Sequence, residues 1–205
     1  MSLSAEQWVL IYDKDDYKYA NLLFENLHVA SEKLGTSVEE PYWIELRSRA
    51  QPRDFEQSIQ SEIDRNNAAC VVVLLPQFKY YPQVKRALDK SGVISQIVLK
   101  QNIRKAEFKE SFGYQLASAI LRQINVKSGG DFYHLTLPRL QFEHTMVVGI
   151  DVCHFGPKSI VGFCATLNDK FSKYFSQVYY QMKGKEIVDR DAMRQCYLNA
   201  CEEYY

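Results

Sequence analysis

An uninterrupted apolar run, Cys70 to Leu75, constrains the fold of this 205-residue chain more than any other feature. It shows no polar alternation, so a strand built from it needs cover on both faces. A parallel sheet provides that cover, because its strands are connected by helices that pack on both sides. Pro76 ends the run, since proline cannot donate to a strand ladder. The run therefore predicts the central strand of a parallel α/β sheet.

The segments around this run alternate between strand and helix patterns. Shorter apolar runs predict strands at residues 8–12, 43–46 and 94–99. Apolar residues at helical spacing predict helices at residues 17–34, 53–65, 85–90 and 106–123. This order predicts a Rossmann-like, doubly wound parallel sheet. Ligands of such sheets gather beyond the carboxyl ends of the strands.

The pattern changes after the pair Gly129-Gly130. Residues 131–144 show little periodicity and predict a connecting segment. Beyond it, turn-sized gaps between apolar strands predict an antiparallel meander followed by a helix, at residues 146–151, 159–165, 174–181 and 191–204. We therefore expect a first domain at residues 1–130 and a second at residues 145–205.

Composition restricts the classes of function. The chain has 25 basic and 25 acidic side chains, whereas proteins that coat a duplex are usually basic, so any nucleic-acid contact is expected in a local pocket. No apolar run approaches the roughly 18 residues of a membrane span, which predicts no membrane contact. Five cysteines without a CxxC pair favour a reducing, intracellular compartment, cytoplasmic or nuclear. The sequence has no GxGxxG, Walker or GxSxG motif, which argues against dinucleotide, NTP and α/β-hydrolase sites.

A candidate phosphate site follows the central strand. Tyr81 and Lys85 are four residues apart, so on a helix they share one face. A phosphate there would meet backbone N–H groups, the helix dipole and an ammonium, and the tyrosine ring would stack on a terminal base. Gln96 is expected to add an amide donor at the same edge of the sheet, and Lys127 a second charge. Taken singly, each residue equally fits an ordinary surface or half-buried side chain.

These residues also carry a family resemblance. Residues 81–85, Gln96 and the run at residues 123–130 together resemble the middle domain of Argonaute proteins, which binds the 5′ end of a guide RNA. The resemblance implies that Tyr81 stacks on the first base. It implies that Lys85 and Lys127 bind the 5′ phosphate and that Gln96 donates a hydrogen bond to it.

Two further details of the pocket follow from the resemblance. Gln123 stands where the Argonaute clade usually has another lysine, which resembles the Piwi clade and implies that a divalent metal such as Mg²⁺ replaces the missing charge. The loop that selects the 5′ nucleotide in the family corresponds here to Gln77, Phe78, Lys79 and Tyr80.

Downstream, residues 145–154 resemble the first strand of a Piwi domain, which has a ribonuclease H-like fold. The resemblance implies that Asp151 is the first catalytic aspartate and a Mg²⁺ ligand, and that Glu186 is the mobile catalytic glutamate. The family hydrolyses RNA with two metal ions held by clustered carboxylates. Its other catalytic residues lie beyond position 205. We therefore expect an incomplete ribonuclease H-like segment that does not itself cleave RNA.

The resemblance thus implies a protein that binds the 5′-phosphorylated end of a single-stranded small guide RNA in RNA silencing, alongside protein partners of a silencing complex. Two alternatives stay open. In a longer protein, Asp151 and Glu186 would belong to a Mg²⁺-dependent, guide-directed RNA endonuclease, or slicer. Alternatively, the pocket is degenerate and the chain is a protein-interaction module. A preference for 5′-phosphate over 5′-hydroxyl RNA separates the binding function from the interaction module.

Overall fold

The apolar run at residues 70–75 forms a buried strand, as its lack of polar alternation predicts. The computed structural model describes residues 2–3, 8–66, 68–131, 145–184 and 187–204. They fall into two units, Met1–Gly130 and Asp131–Tyr205. Apart from Asp131, the expected connecting segment lies outside the described residues. None of the helices described is long and apolar enough to cross a membrane.

The described residues of the first unit form six strands, all in parallel pairs. In chain order they are β1 (Ser2–Leu3), β2 (Trp8–Asp13), β3 (Ser37–Val38), β4 (Tyr42–Leu46), β5 (Cys70–Leu75) and β6 (Ile94–Leu99). Four of them form one sheet in the order β4-β2-β5-β6, with β6 at one edge. The two-residue strands β1 and β3 pair separately, and no sequence pattern indicated them.

Helices cover both faces of this sheet. They are α1 (Tyr17–Lys33), α2 (Pro52–Asn66), α3 (Tyr81–Ser91), α4 (Lys100–Glu107) and α5 (Glu110–Lys127). Alternate residues of β5 point to opposite faces. Cys70, Val72 and Leu74 pack into the core with α1, α4 and α5, whereas Val71, Val73 and Leu75 pack with α2 and α3. This arrangement is the doubly wound parallel sheet that the sequence predicts.

The helix expected at residues 106–123 is in fact two helices. Lys109 is extended (φ −151°, ψ 99°) and separates α4 from α5, because a residue with these angles cannot continue a helix. Phe108, expected on the apolar face, is 79% exposed. Gly113 brings α5 close to α1, since a Cβ at this position would lie 2.4 Å from Asn26 Oδ1. The helix expected at residues 85–90 is longer and starts at Tyr81.

Over the residues that the structure describes, the second unit forms an antiparallel meander and one helix. Its strands β7 (Val148–Phe155), β8 (Lys158–Thr166) and β9 (Tyr174–Met182) follow one another in the sheet, as their turn-sized spacing predicts. Helix α6 (Arg190–Tyr204) buries Cys196 and Ala200 in a core with Phe163 and Ala165. This core stabilises the unit on the face that α6 covers.

Candidate functional site

Lys127, the last residue of α5, reaches back to the edge strand β6. Its Nζ donates to the Ser95 carbonyl oxygen at 2.6 Å and to Gln96 Oε1 at 2.8 Å. Gln96 is only 8% exposed, and its Nε2 donates to the Ile97 carbonyl oxygen at 3.2 Å. With both ends of the amide engaged, its orientation is fixed. The structure therefore brings together two residues, Gln96 and Lys127, that the sequence assigned to one pocket.

A second ammonium lies near the first. The pKa of Lys127 is lowered, first because burial disfavours the charged form and next because the positive charge of Lys85 is close. Asp89 acts on this pKa in the opposite direction. Lys85 Nζ contacts Asp89 Oδ1 at 2.5 Å, one turn further along α3. The positive charges of Lys85 and Lys127, from different helices, therefore act on each other, and together they favour binding of an anion.

The position of this pair differs from the expected one. Gln96 and Ser95 pair with Val72 and Val71, so the contact with Lys127 lies beside the amino-terminal half of β5 and β6. Tyr81, in contrast, begins α3 shortly after the carboxyl end of β5. The expectation that Gln96 lies at the same edge as Tyr81 is therefore wrong. Its physical reason is that Gln96 is an early residue of its strand, whereas Tyr81 follows the end of a strand.

Tyr81 has an aromatic neighbour that the sequence assignment did not include. Its ring is 37% exposed and stacks against Phe78, with centroids 5.8 Å apart and planes inclined by 16°. Phe78 itself is 66% exposed. The spacing of three residues between the two aromatic side chains is the sequence signal that would have indicated this contact. Together the rings form an exposed aromatic surface at the start of α3.

The four residues of the expected selectivity loop differ in their exposure to solvent. Tyr80 is buried, and its hydroxyl lies 3.5 Å from Gln51 Oε1. Gln77, Phe78 and Lys79 are exposed, and Lys79 Nζ lies 5.5 Å from the centre of the Tyr80 ring. Tyr80 therefore anchors the loop, and the side chains available to a ligand are the other three.

Gln123 is exposed on α5, one turn before Lys127. Within the described part of the chain, no hydrogen bond joins it to Lys85, Gln96 or Lys127. The side-chain oxygens in contact with the two ammonium groups, Gln96 Oε1 and Asp89 Oδ1, already accept from lysines. Mg²⁺ requires several oxygen ligands in octahedral geometry. The described residues therefore do not fit a preformed magnesium site in this pocket.

Asp151 lies on β7, exposed and opposite Gly162 of β8. Across the residues that the structure describes, no group of three His, Cys, Asp or Glu side chains is placed to hold a metal ion. Glu186, the other expected catalytic residue, lies outside the described residues. The catalytic roles of Asp151 and Glu186 stay predictions, and no cleavage step is derived from them.

Comparison with known proteins assigns the chain to a family. A family profile described as Piwi domain matches residues 70–205. The chain belongs to the Argonaute/Piwi family. Piwi-like protein 1 of Gallus gallus is 31% identical over 205 residues, an alignment covering 98% of this chain and 22% of that protein. The chain therefore spans only about a fifth of the length of this curated relative. The matched residues include both the Tyr81–Lys127 region and Asp151.

Solved structures share the fold. The crystal structure of Drosophila Piwi aligns with a TM-score of 0.79 and 18% identity, over 98% of this chain and 27% of that one. The Kluyveromyces polysporus Argonaute, crystallised with a guide RNA, aligns with a TM-score of 0.75 and 16% identity, over 98% of this chain and 26% of that one. These likenesses confirm the predicted fold class, a Rossmann-like sheet followed by a ribonuclease H-like segment.

Proposed function

We propose that the first unit, residues 1–130, is a middle domain that binds the 5′-phosphorylated end of a single-stranded small guide RNA. Residues 145–205 of the second unit are then the beginning of the ribonuclease H-like part of the protein. One observation carries the proposal: the ammonium of Lys127 is held on Ser95 and Gln96 with the charge of Lys85 close by. In a longer protein of this family, this binding would serve RNA silencing together with protein partners.

A terminal phosphate fits this arrangement better than other groups of RNA. It carries nearly two negative charges above about pH 6, whereas an internal phosphodiester carries one and a 5′ hydroxyl none. Ammonium groups form charge-assisted hydrogen bonds with phosphate oxygens, and these are stronger than neutral ones. The exposed ring of Tyr81 offers a surface on which any base can stack. The guide RNA in the crystal structure of the Kluyveromyces polysporus Argonaute supports RNA as the ligand.

Substitution of Lys85 tests the proposal against general electrostatics. Lys85→Ala is expected to weaken binding of 5′-phosphorylated RNA by about tenfold or more, through loss of a charge-assisted hydrogen bond. Binding of the same RNA with a 5′ hydroxyl should change little. Fluorescence anisotropy with short labelled RNAs measures both. Lys90→Ala removes an exposed charge from the same helix and is the matched control. Equal losses in the two variants would leave only nonspecific attraction.

The affinity for 5′-phosphorylated RNA should fall both at low pH and at high pH. Below about pH 6 the phosphate loses its second charge, so affinity falls. At high pH Lys127 loses its proton. Because its pKa is lowered by burial and by Lys85, this loss occurs at lower pH than for an ordinary lysine. In Lys127→Arg the guanidinium stays charged, so this variant should keep its affinity further into the alkaline range. Binding is measured across pH for the unmodified protein and for Lys127→Arg. If both lose affinity at the same alkaline pH, the proposed role of Lys127 is contradicted.

Tyr81→Ala is expected to weaken binding by about 5- to 150-fold, which corresponds to the roughly 1–3 kcal/mol of one base stacking on an aromatic ring. The loss should appear with an ordinary 5′-phosphorylated RNA. With an RNA whose first nucleotide is abasic, Tyr81→Ala should bind as the unmodified protein does. Tyr81→Phe keeps the ring and serves as the control. A similar loss with the abasic RNA would show that Tyr81 does not stack on the first base.

A further inference from the structure

The proposed guide-end pocket, which consists of Lys85, Gln96 and Lys127, also contains a carboxylate of the protein itself. Asp89 Oδ1 lies 2.5 Å from Lys85 Nζ, and the Asp89 side chain is 61% exposed. Asp89 and Lys85 both act on the pKa of Lys127, with opposite signs, so the three charges belong to one neighbourhood. Two ammonium groups and one carboxylate leave a net charge of about +1, half of what the lysines alone would present to an anion.

We propose that Asp89 is an internal counter-ion of the guide-end pocket, which holds Lys85 in the free protein and lowers the affinity for a terminal phosphate. The inference rests on the proposed function of this pocket. Carboxylate and phosphate compete for the same ammonium group. Lys85 has three N–H donors, so a bound phosphate shares it with Asp89 or displaces the carboxylate. In either case the two anions repel each other, and this repulsion weakens binding.

The same carboxylate stabilises the protein in the absence of RNA. Without this carboxylate, the like charges of Lys85 and Lys127 would act on each other uncompensated, which destabilises a folded state. Asp89 therefore lowers the affinity for a terminal phosphate and raises the stability of the free protein. Opposed effects of this kind are common at binding sites. This role differs from that of a positioning residue, whose removal would lower affinity because Lys85 would lose its orientation.

Two substitutions separate charge from positioning. Asp89→Asn removes the charge but keeps an oxygen that accepts from Lys85, whereas Asp89→Ala removes both. Both variants are expected to bind 5′-phosphorylated RNA roughly tenfold more tightly than the unmodified protein at low salt, with a smaller gain at high salt. Both should also melt about 1–2 °C lower without RNA, because an exposed ion pair on a helix is lost and the lysines repel each other. Fluorescence anisotropy and thermal unfolding give the two readouts.

Glu45→Gln is the matched control. Glu45 is also an exposed carboxylate paired with a lysine, Lys14 at 3.4 Å, but it lies on β4 at the opposite edge of the sheet. Glu45→Gln makes the same change in net charge as Asp89→Asn and should leave the affinity for 5′-phosphorylated RNA nearly unaltered. A gain equal to that of Asp89→Asn would overturn the proposal in favour of total charge.

The remaining outcomes are distinct. If the unmodified protein prefers the 5′ phosphate but Asp89→Asn binds no more tightly, the counter-ion role is wrong and the proposed function stands. If only Asp89→Ala changes the affinity, and lowers it, Asp89 positions Lys85 instead. If neither the unmodified protein nor Asp89→Asn distinguishes 5′-phosphate from 5′-hydroxyl RNA, the proposed function fails and this inference fails with it.

Discussion

Lys127→Ala is expected to weaken binding of 5′-phosphorylated RNA by about 10- to 150-fold, the range that corresponds to a hydrogen bond with a charged partner. The ammonium is held by the Ser95 carbonyl oxygen and by Gln96 Oε1, so it is presented to a ligand in a defined place. The substitution removes that charge and leaves Gln96 Oε1 without its lysine donor. Isothermal titration with 5′-phosphorylated and 5′-hydroxyl RNA measures the effect, which should be confined to the phosphorylated form.

Lys127→Arg is the conservative counterpart. It keeps a positive charge but not the compact shape of an ammonium, so an intermediate loss is expected. Thermal unfolding of Lys127→Ala must accompany the titration, since the side chain also links α5 to β6. If the variant folds as stably as the unmodified protein and loses affinity equally for both RNAs, or loses nothing, the assignment of Lys127 to the phosphate is wrong.

Trp8→Ala is expected to destabilise the first unit by about 3–5 kcal/mol, the range for truncating a buried large aromatic side chain. Trp8 is completely buried in the core between the sheet and α1, and its Nε1 donates to the Glu39 carbonyl oxygen at 2.9 Å. Denaturant unfolding followed by Trp43 fluorescence reports on this unit, because the chain has only 2 tryptophans, Trp8 and Trp43.

Two controls define the origin of this loss. Trp8→Phe keeps much of the buried apolar volume but removes the indole N–H, so it should cost less than the alanine variant. Phe108→Ala truncates an aromatic side chain that is 79% exposed and should stay within about 0.5 kcal/mol of the unmodified protein. Similar losses for Trp8→Ala and Phe108→Ala would contradict the placement of Trp8 in the core.

The fold was predictable where burial controls the sequence pattern. A strand covered on both faces must be apolar throughout, and β5 is, so its position and the parallel sheet follow directly. The break between α4 and α5 was not predictable, because Phe108 continues the apolar spacing although its side chain is exposed. Helical spacing alone does not show that a backbone turns at Lys109.

The candidate site was predictable in its members but not in its geometry. Residue types and the family resemblance indicated Lys85, Gln96 and Lys127, and the structure places all three in one neighbourhood. The position of Gln96 along the sheet depends on the register between β5 and β6, in which Gln96 lies opposite Val72. A sequence motif does not specify this register. Asp89 was not indicated by the sequence, since a carboxylate one turn after a lysine is an ordinary helix-surface pair.

The most direct test of the guide-end pocket is a titration of this chain with one short RNA in two forms, with a 5′ phosphate and with a 5′ hydroxyl, in the absence and presence of Mg²⁺. We expect clearly tighter binding of the phosphorylated form, because only it supplies a dianion to Lys85 and Lys127. Equal affinity for the two forms under both conditions would contradict the pocket and favour a protein-interaction module.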